Sequence, residues 1–434
     1  MSDRRSRERA VAHDRSAQAG ADPAPDPSAA GGGPLAGVRV LDLTAVLMGP
    51  FATQLLGDMG ADVIKVEPPR GDTSRGIGPM RSPGMGGSFL HVNRNKRAVC
   101  IDLKNEAGRD VLLALARKAD VLVYNVRPAA MKRLRLAYED LAAVNPRIIY
   151  AGVFGYGQDG PYAEFPAYDD LIQGAIGLPT MIGRVGDGVP RYVPLVFVDR
   201  AVGLAAVNSI TAALFHRERT GRGQSIEVPM FEAMVPFVLG EHMAGHTFDP
   251  PLGPVGYPRL LAPERRPYQT SDGYVCAVIY TDRHWQSFYE LTGRSDEFAR
   301  DPRVKTIGER TKHIAELCEE SARHFRTDTT RNWLDRLNAA DIPCMRLNTP
   351  ESLLQDPHLE AVGYFERFEH PSEGTIWQMR PAVTSTEPAR RQRLPAPRLG
   401  QHTREVLAEV GIDDAAAQRL ARIGAVAGEG LPGA

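Results

Sequence analysis

Asp199 is the acidic residue whose surroundings most favour chemistry. It lies between two apolar runs, residues 193–198 and 201–207, and a carboxylate at the boundary of a buried strand and a buried helix is costly unless polar groups satisfy it. As a structural residue, Asp199 would cap the helix and stabilise it by about 1 kcal/mol. As a functional residue, it would use the positive end of the helix dipole to stay ionised and nucleophilic. The residues alone leave both interpretations open.

Two further acidic residues, Asp169 and Asp170, begin a predicted helix that runs toward residue 176. Paired acids at a helix start commonly serve as caps, so this pair alone does not indicate a site. The histidines are scattered without HExxH spacing, and neither a GxSxG elbow nor a Walker motif occurs. The sequence therefore gives no support to a zinc peptidase, a serine hydrolase or a nucleoside triphosphatase.

Basic residues are concentrated where predicted strands end. Loops past the carboxyl ends of the strands ring the ligand crevice of a parallel α/β sheet, and cations in such loops would bind a polyphosphate. A solvated charged surface is the alternative for each residue on its own. A glycine-dense loop at residues 152–162, GVFGYGQDGPY, would also let a ligand approach the backbone closely. The basic residues are Arg75, Arg94, Lys96, Arg97, Arg127, Lys132, Arg133 and Arg135.

Short β-branched runs alternate with helical segments, and these elements must position the candidate residues. Strands are predicted at residues 38–43, 62–66, 99–103, 121–124, 148–153 and 225–228, and helices at 51–59, 107–119, 138–144, 201–216 and 230–239. This alternation predicts a Rossmann-like parallel sheet covered by helices on both faces. The first strand is followed by TAVLMGP rather than GxGxxG, so a standard dinucleotide fingerprint is absent.

Composition and charge are those of an ordinary globular protein. Of 434 residues 43% are hydrophobic, and 52 basic against 53 acidic residues give a formal charge of −1, so no overall field favours nucleic acid or an anionic membrane. The four cysteines lack CxxC spacing, which argues against a zinc cluster or a disulfide framework, and uninterrupted apolar runs are too short to span a bilayer. We therefore expect a cytoplasmic protein with no metal, nucleic-acid or membrane partner.

Composition shifts divide the chain into five parts. Residues 1–33 are predicted to be a disordered tail, because they have neither the apolar stretch of a secretory signal nor the acid-poor composition of a mitochondrial presequence. A large α/β domain is predicted at 34–239, followed by a Pro- and Gly-rich linker at 240–267. We predict a smaller α+β domain at 268–348, and residues 349–434 as a linker and C-terminal return to the large domain.

Several long segments, in fixed order, resemble the family III CoA transferases, which share their fold with α-methylacyl-CoA racemase. The resemblance is strong over residues 34–240 and loose over the rest. It implies an interlocked, ring-like homodimer, for which the linker and the long C-terminal return are suited. The segments are PLAGVRVLDLTAVLMGPFATQLLGDMGADVIKVEPPRGD (34–72), NRNKRAVCIDLK (93–104), ADVLVYNVRP (119–128), YEDLAAVNPRIIYAGVFGYGQDGPY (138–162), AYDDLIQGAIGL (167–178) and RERTGRGQSIEVPMFEAM (217–234).

The resemblance places Asp199 at the position of the family's catalytic aspartate. It implies that Asp199 attacks an acyl-CoA thioester to give a mixed anhydride, and that the CoA thiolate returns to form an aspartyl-CoA thioester. An acceptor acid then takes the CoA, and water must be excluded because either intermediate would hydrolyse. CoA thioesters would be substrates, and no tightly bound cofactor is implied. By the same resemblance, CoA is contacted by Arg75, Asn95, Lys96, Asn125 and Arg133.

Two alternatives stay open, an acyl-CoA racemase or epimerase and a CoA-binding protein without turnover. The racemases use His-Asp where this chain has Tyr168 and Asp169, and because tyrosine is a poor base at neutral pH, a transferase is favoured. Formyl-CoA transferases carry a glutamine where Leu47 stands and a glycine-rich flap at 256–260, so formate and oxalate are not the expected substrates. The resemblance implies, as a family-level expectation, succinyl-CoA with a small branched or unsaturated diacid. Arg265 and Arg266 could bind its second carboxylate, although a solvated turn is the stronger interpretation.

Overall fold

The computed structural model of the protein describes residues 32–384 and 394–432, so nearly all of the predicted tail lies outside the described residues. The strands are β1 (Arg39–Leu43), β2 (Asp62–Glu67), β3 (Lys96–Ile101), β4 (Val121–Tyr124), β5 (Ile149–Phe154), β6 (Gln224–Pro229), β7 (Tyr268–Gln269), β8 (Tyr274–Ala277), β9 (Cys344–Arg346), β10 (Phe365–His370), β11 (Gly374–Met379) and β12 (Val426–Ala427).

The helices of the described residues fall before, between and after these strands. They are α1 (Met48–Asp58), α2 (Gly87–Leu90), α3 (Glu106–Ala116), α4 (Pro128–Arg133), α5 (Tyr138–Val144), α6 (Asp169–Ala175), α7 (Leu178–Val185), α8 (Phe197–Thr220), α9 (Met230–His242), α10 (Pro258–Leu261), α11 (Asp282–Leu291), α12 (Ser295–Arg300), α13 (Ile307–Lys312), α14 (Ile314–Phe325), α15 (Thr330–Ala339), α16 (Pro350–Leu353), α17 (Pro357–Ala361), α18 (Thr403–Glu409) and α19 (Asp414–Arg422).

The large sheet has seven strands in the order β12-β3-β2-β1-β4-β5-β6. Its six strands from β3 to β6 pair in parallel, and only the short edge strand β12 is antiparallel to its neighbour. The predicted parallel sheet is therefore confirmed, with an antiparallel edge that the sequence did not indicate. Because the chain order reverses on the two sides of β1, a crevice opens at the carboxyl ends of β1 and β4, where doubly wound folds bind ligands.

Successive side chains of each strand enter two different cores, as the pleat of a strand requires. Val40 and Val121 face a core shared with α1, α8 and α9, whereas Leu41 and Leu122 face a core shared with α3 and the C-terminal helices α18 and α19. Through these helices and β12, the end of the chain packs on the large sheet. Both faces of the sheet are covered, which explains why its strands read as continuous apolar runs.

Helix α8 begins at Phe197, four residues earlier than predicted, and spans 24 residues. Gly203 lets it approach α1 closely, because a Cβ atom there would lie 2.9 Å from the ring of Phe51 and 3.1 Å from the carbonyl oxygen of Met48. By length and composition α8 is long and apolar enough to cross a membrane, and 44% of its most apolar window is buried inside the protein. The sequence analysis counted only uninterrupted apolar runs and therefore underestimated the length of this apolar helix. Scattered polar residues interrupt such a run but do not end the helix.

Residues 268–346 form a second, smaller sheet and core. Strands β7, β8 and β9 are antiparallel neighbours, and the aromatic side chains of Tyr268, Phe288, Phe325 and Trp333 pack together beneath them. Strands β10 and β11 pair as a separate hairpin. None of these elements lines the cleft described below.

Candidate active site

A cleft of about 930 Å³ lies at the carboxyl ends of the central strands of the large sheet. It is walled by the loops that follow β1 to β5 and by the start of α8. Asp199 lines the cleft together with apolar side chains that include Leu47, Met48 and Met230. Four exposed cationic side chains border the same cleft, namely Arg70, Lys104, Arg127 and Arg133.

Asp199 is the third residue of α8 rather than its N-cap. The N-cap is Val196, which makes no side-chain cap bond, and the backbone N–H of Asp199 donates to Oδ1 of Asp169 at 2.9 Å. The cap interpretation of Asp199 is therefore wrong, because the helix starts earlier and its free N–H group is satisfied from α6. No hydrogen bond or ion pair joins the Asp199 carboxylate to another of the described residues, so both of its oxygens are available to a substrate.

Helix α6 holds the segment that leads into α8. Gln173 accepts a hydrogen bond from the backbone N–H of Val193 at 2.9 Å and donates one to Oδ2 of Asp169 at 2.6 Å. Asp169 is 7% exposed, so its carboxylate links the two helices from a buried position. The acidic pair does not act as one unit, since Asp170 is exposed. Asp169 is a residue of the site whose role the sequence did not reveal.

Burial and the neighbouring Asp169 carboxylate raise the pKa of Asp199 from 3.8 to about 7, although Arg200 opposes them. The expected dipole effect therefore does not keep this carboxylate at an ordinary pKa, because it is taken out of water beside a second carboxylate. Perturbed pKa values of this kind cluster at functional sites. The ionised form of Asp199 is therefore more basic than an ordinary aspartate.

The loop after β1 forms part of the cleft wall, and it is held in a strained conformation. Val46 has φ 72°, an outlier for a β-branched residue. Its backbone N–H donates to Oδ1 of Asp72 at 3.1 Å, and the side-chain amide of Asn125 exchanges two hydrogen bonds with the backbone of Ala45. These contacts fix the loop and thereby place Leu47 in the cleft wall.

Two of the five predicted CoA contacts, Asn125 and Arg133, line the cleft with Asp199. Asn125 is partly engaged by the Ala45 backbone, whereas the exposed side chain of Arg133 forms no ion pair with the described residues. The remaining three residues lie elsewhere. The structure does not bring them to the cleft, and each is buried against partners of its own chain.

Lys96 begins β3 instead of following a strand, so its predicted location in a loop is wrong. Its ammonium is fully buried and donates to Oδ2 of Asp42, to the carbonyl oxygen of Pro50 and to Oδ1 of Asn93, each at 2.9 Å. Burial alone would raise the pKa of Asp42, but Lys96 and Lys65 hold it at about 2. Lys96 therefore neutralises a carboxylate inside the sheet.

Arg75 and Asn95 are buried in the same manner. The guanidinium of Arg75 donates twice to Glu67, at 2.7 Å each, and lies 3.9 Å from the ring centroid of Phe89. Asn95 donates to Asp58 at 2.7 Å and accepts from the backbone of Leu394 at 3.1 Å. Arg75 lines a separate cavity of about 420 Å³. In this conformation both residues hold protein segments together, and direct contact with CoA stays a prediction.

Other predicted positions also lie away from the cleft. Arg265 and Arg266 are exposed in a turn, where their backbone N–H groups donate to Ala262 and Glu264. Conversely, Arg70 and Lys104 line the cleft and were not among the predicted contacts. The signal was present, because Arg70 follows β2 and Lys104 follows β3, at the strand ends where a parallel sheet binds its ligand.

Fold and site together define a class of protein. It is a doubly wound α/β protein with a partly buried, unpaired carboxylate in a partly apolar cleft that is bordered by exposed cations. Comparison with known proteins narrows this class, and residues 35–403 match CoA-transferase family III.

Named relatives agree with that match. Succinate–glutarate CoA-transferase of Agrobacterium fabrum is 32% identical over 388 residues, covering 87% of this chain and 96% of the relative. Formyl-CoA:oxalate CoA-transferase of Streptomyces coelicolor is 33% identical over 406 residues, covering 88% and 96%. The crystal structure of Rv3272 from Mycobacterium tuberculosis has a TM-score of 0.74 at 31% identity, covering 86% of this chain and 98% of that one. The chain belongs to CoA-transferase family III and is a CoA transferase, as the resemblance predicted.

Proposed function

We propose that Asp199 is the nucleophile that exchanges acyl groups and CoA during transfer. The observation that carries this proposal is the position of its carboxylate, which lines the cleft without a hydrogen-bond partner among the described residues and has a pKa of about 7. A partly buried aspartate without a partner destabilises the folded protein, and a loss of stability at the active site is typical of catalytic groups. Asp169 would act as a positioning residue, since it orients the backbone of Asp199 from α6.

The reaction would proceed through two kinds of covalent intermediate. An oxygen of Asp199 attacks the thioester carbonyl of the donor, the C–S bond breaks, and a mixed anhydride and CoA thiolate result. The thiolate attacks the aspartyl carbonyl of the anhydride, releasing the donor acid and leaving an aspartyl-CoA thioester. The acceptor carboxylate displaces the thiolate to form a second anhydride. Return of the thiolate to the acceptor's acyl carbon releases the new acyl-CoA and regenerates Asp199.

The cations at the rim would bind the phosphates of CoA. Arg70, Lys104 and Arg133 form no ion pair with the described residues, so their charges are available to an anion. These three cations and Asp199 line the same cleft. An extended ligand would therefore have its phosphates beside these cations and its thioester beside Asp199.

Dicarboxylic acids are the acyl substrates that we propose, with succinyl-CoA as donor and glutarate or a similar diacid as acceptor. The names of the Agrobacterium relative and of the mouse succinyl-CoA:glutarate CoA-transferase support this choice. The apolar side chain of Leu47 in the cleft wall is consistent with a substrate that has methylene groups. CoA thioesters are then substrates, and the aspartate chemistry needs no bound cofactor.

We further propose that the working enzyme is a cytoplasmic homodimer. Large apolar side chains close to Asp199 are exposed in the single chain, with Tyr168 67%, Leu195 55% and Tyr192 50% exposed. If this surface stayed uncovered, water could reach either covalent intermediate. Exposed apolar patches of this kind commonly mark protein–protein interfaces. A second copy that covers this surface would both exclude water and bury it.

An exchange assay tests the proposal. Succinyl-CoA is incubated with glutarate and the CoA products are identified by mass spectrometry, using wild-type enzyme, Asp199→Ala and Asp170→Ala. We expect exchange by the wild type and by Asp170→Ala, and a loss of at least 1,000-fold in Asp199→Ala. Retained exchange in Asp199→Ala would exclude Asp199 as the nucleophile. Deuterium uptake at the acyl α-carbon without any exchange would instead identify a racemase.

A further inference from the structure

The loop that follows β1 has a costly backbone conformation at Val46. Its φ is 72°, and among the described residues Val46 is the one β-branched residue with a positive φ. A left-handed conformation is unfavourable for such a side chain, and strain of this kind persists only where the surrounding structure enforces it. Val46 and its neighbours Ala45, Leu47 and Met48 line the cleft together with Asp199. The strain therefore lies in the wall of the cleft itself.

A buried ion pair enforces this conformation. The ammonium of Lys65 and the carboxylate of Asp72 are 2.8 Å apart, and the two side chains are 0% and 1% exposed. Lys65 also donates to the carbonyl oxygen of Thr44 at 3.0 Å. The backbone N–H of Val46 donates to Oδ1 of Asp72 at 3.1 Å. The pair therefore holds the loop on both sides of Ala45.

Further contacts keep the Asp72 carboxylate in one orientation. Its Oδ1 also accepts from the backbone N–H of Ser74 at 2.9 Å and from the hydroxyl of Ser74 at 2.8 Å. The backbone N–H of Asp72 donates to Glu67 at 2.9 Å, and the guanidinium of Arg75 in turn binds Glu67. The carboxylate is thus a fixed acceptor, and Val46 reaches it only from the left-handed conformation that the loop adopts.

We propose that Asp72 is a positioning residue for CoA transfer, because it holds Val46 in the left-handed conformation and thereby keeps Leu47 in the wall of the cleft. This inference rests on the proposed function, since it takes the cleft with Asp199 as the place of reaction. Leu47 is the N-cap of α1 and makes no side-chain cap bond, so the loop contacts rather than a cap fix the start of that helix. Asp72 lines the smaller cavity instead of the cleft and would act through the loop. A misplacement of about 1 Å in such a wall can lower the rate about 100-fold.

The test compares Asp72→Asn in two backgrounds, Val46→Gly and Val46→Ala. Both backgrounds remove the Val46 side chain from the cleft, but only glycine adopts a φ of 72° without strain. For every enzyme, kcat and KM are measured for exchange between succinyl-CoA and glutarate, and the binding of glutaryl-CoA is measured by calorimetry. Thermal unfolding establishes that each variant is folded.

Two more variants separate positioning from folding. Asp72→Asn leaves Lys65 buried without its counter-charge, so Lys65→Met/Asp72→Leu, which buries no unpaired charge, is made in the same two backgrounds. Asp120→Asn is the matched control. Asp120 is paired with Arg217 at 2.8 Å and lies just before β4, at the end of the sheet opposite the cleft.

We expect Asp72→Asn to lower kcat/KM roughly 10- to 100-fold in the Val46→Ala background and less than about fivefold in the Val46→Gly background. The doubly substituted apolar pair should show the same dependence on residue 46, and Asp120→Asn should stay within about twofold of the wild type. Equal losses in the two backgrounds would overturn the role of Asp72, because a purely structural loss does not depend on the backbone preference at residue 46. So would an unchanged kcat/KM in the folded variants of the Val46→Ala background. If no exchange occurs in any enzyme, the transfer mechanism fails, whereas the same comparison of dissociation constants for glutaryl-CoA still tests Asp72 by itself.

Discussion

Replacing Asp199 with asparagine should stabilise the protein while it abolishes transfer. The carboxylate has no hydrogen-bond or ion-pair partner among the described residues, and burial and Asp169 raise its pKa from 3.8 to about 7. Asparagine keeps the shape of the side chain and removes the charge. Each tenfold change in proton affinity corresponds to about 1.4 kcal/mol, so this rise corresponds to about 4 kcal/mol. The carboxylate is not fully shielded from water, and we therefore expect a gain of about 2 kcal/mol.

The gain should depend on pH in a defined direction. Because the folded state binds the Asp199 proton more tightly than the unfolded state, the wild type loses stability as the pH rises above 3.8, and the penalty is complete above about 7. The variant lacks this proton equilibrium. The difference in free energy of unfolding between Asp199→Asn and the wild type should therefore be small at pH 4.5 and largest at pH 8.

Urea denaturation at these two pH values measures the effect, with Asp170→Asn as the matched control. Asp170 is the exposed neighbour of Asp169 in the first turn of α6, and its replacement should change the free energy of unfolding by less than about 0.5 kcal/mol at either pH. A variant at Asp199 that is less stable than the wild type at pH 8 would refute the reasoning. So would a stability difference that does not change between pH 4.5 and 8.

Three further changes test other parts of the site. Asp169→Asn keeps an acceptor for the backbone N–H of Asp199 but removes the charge, so the midpoint of the pH profile of kcat/KM should fall below the wild-type value; an unchanged profile would contradict the electrostatic role. Arg133→Gln should raise KM for acyl-CoA about tenfold at low salt with kcat within about twofold, and a salt-independent effect would argue against a phosphate contact. Lys96→Met leaves the buried carboxylate of Asp42 without its ion-pair partner and should lower the free energy of unfolding, measured in urea, by about 3–5 kcal/mol. A large rise in KM for CoA thioesters in the folded variant would instead favour the direct CoA contact predicted from the sequence.

The sequence predicted the central sheet well, because its strands are buried on both faces and read as short β-branched runs. Helix α5 and strand β4 have the predicted bounds. The start of α8 was missed because residues 193–198 are as apolar and β-branched as a buried strand. Side chains of Gln173 and Asp169 satisfy the backbone there, and contacts across 20 to 30 residues do not show in local periodicity.

The roles of the charged residues could be predicted only in part. Asp199 was identified from its apolar neighbours and from the resemblance, but its raised pKa depends on burial and on the nearby Asp169, both of which arise from the tertiary fold. Lys96 was expected near CoA because the sequence analysis considered the basic residues without the acidic residues that pair with them. Asp42 and Lys65 lie inside β-branched strands of the sequence, and charged residues in such positions must pair with one another. That signal would have indicated a buried network of ion pairs. Arg70 and Lys104 would then have been the candidates for cations that border the cleft.

Chemical trapping of the acyl-enzyme tests the central claim most directly. The wild-type enzyme is incubated with succinyl-CoA and hydroxylamine without an acceptor acid, and its peptides are analysed by mass spectrometry. An activated aspartyl carbonyl should be converted to the hydroxamate, so the peptide that contains Asp199 should carry this modification, and Asp199→Asn should show none. A modification on Asp169 or Glu241 with the Asp199 peptide unchanged would contradict the account.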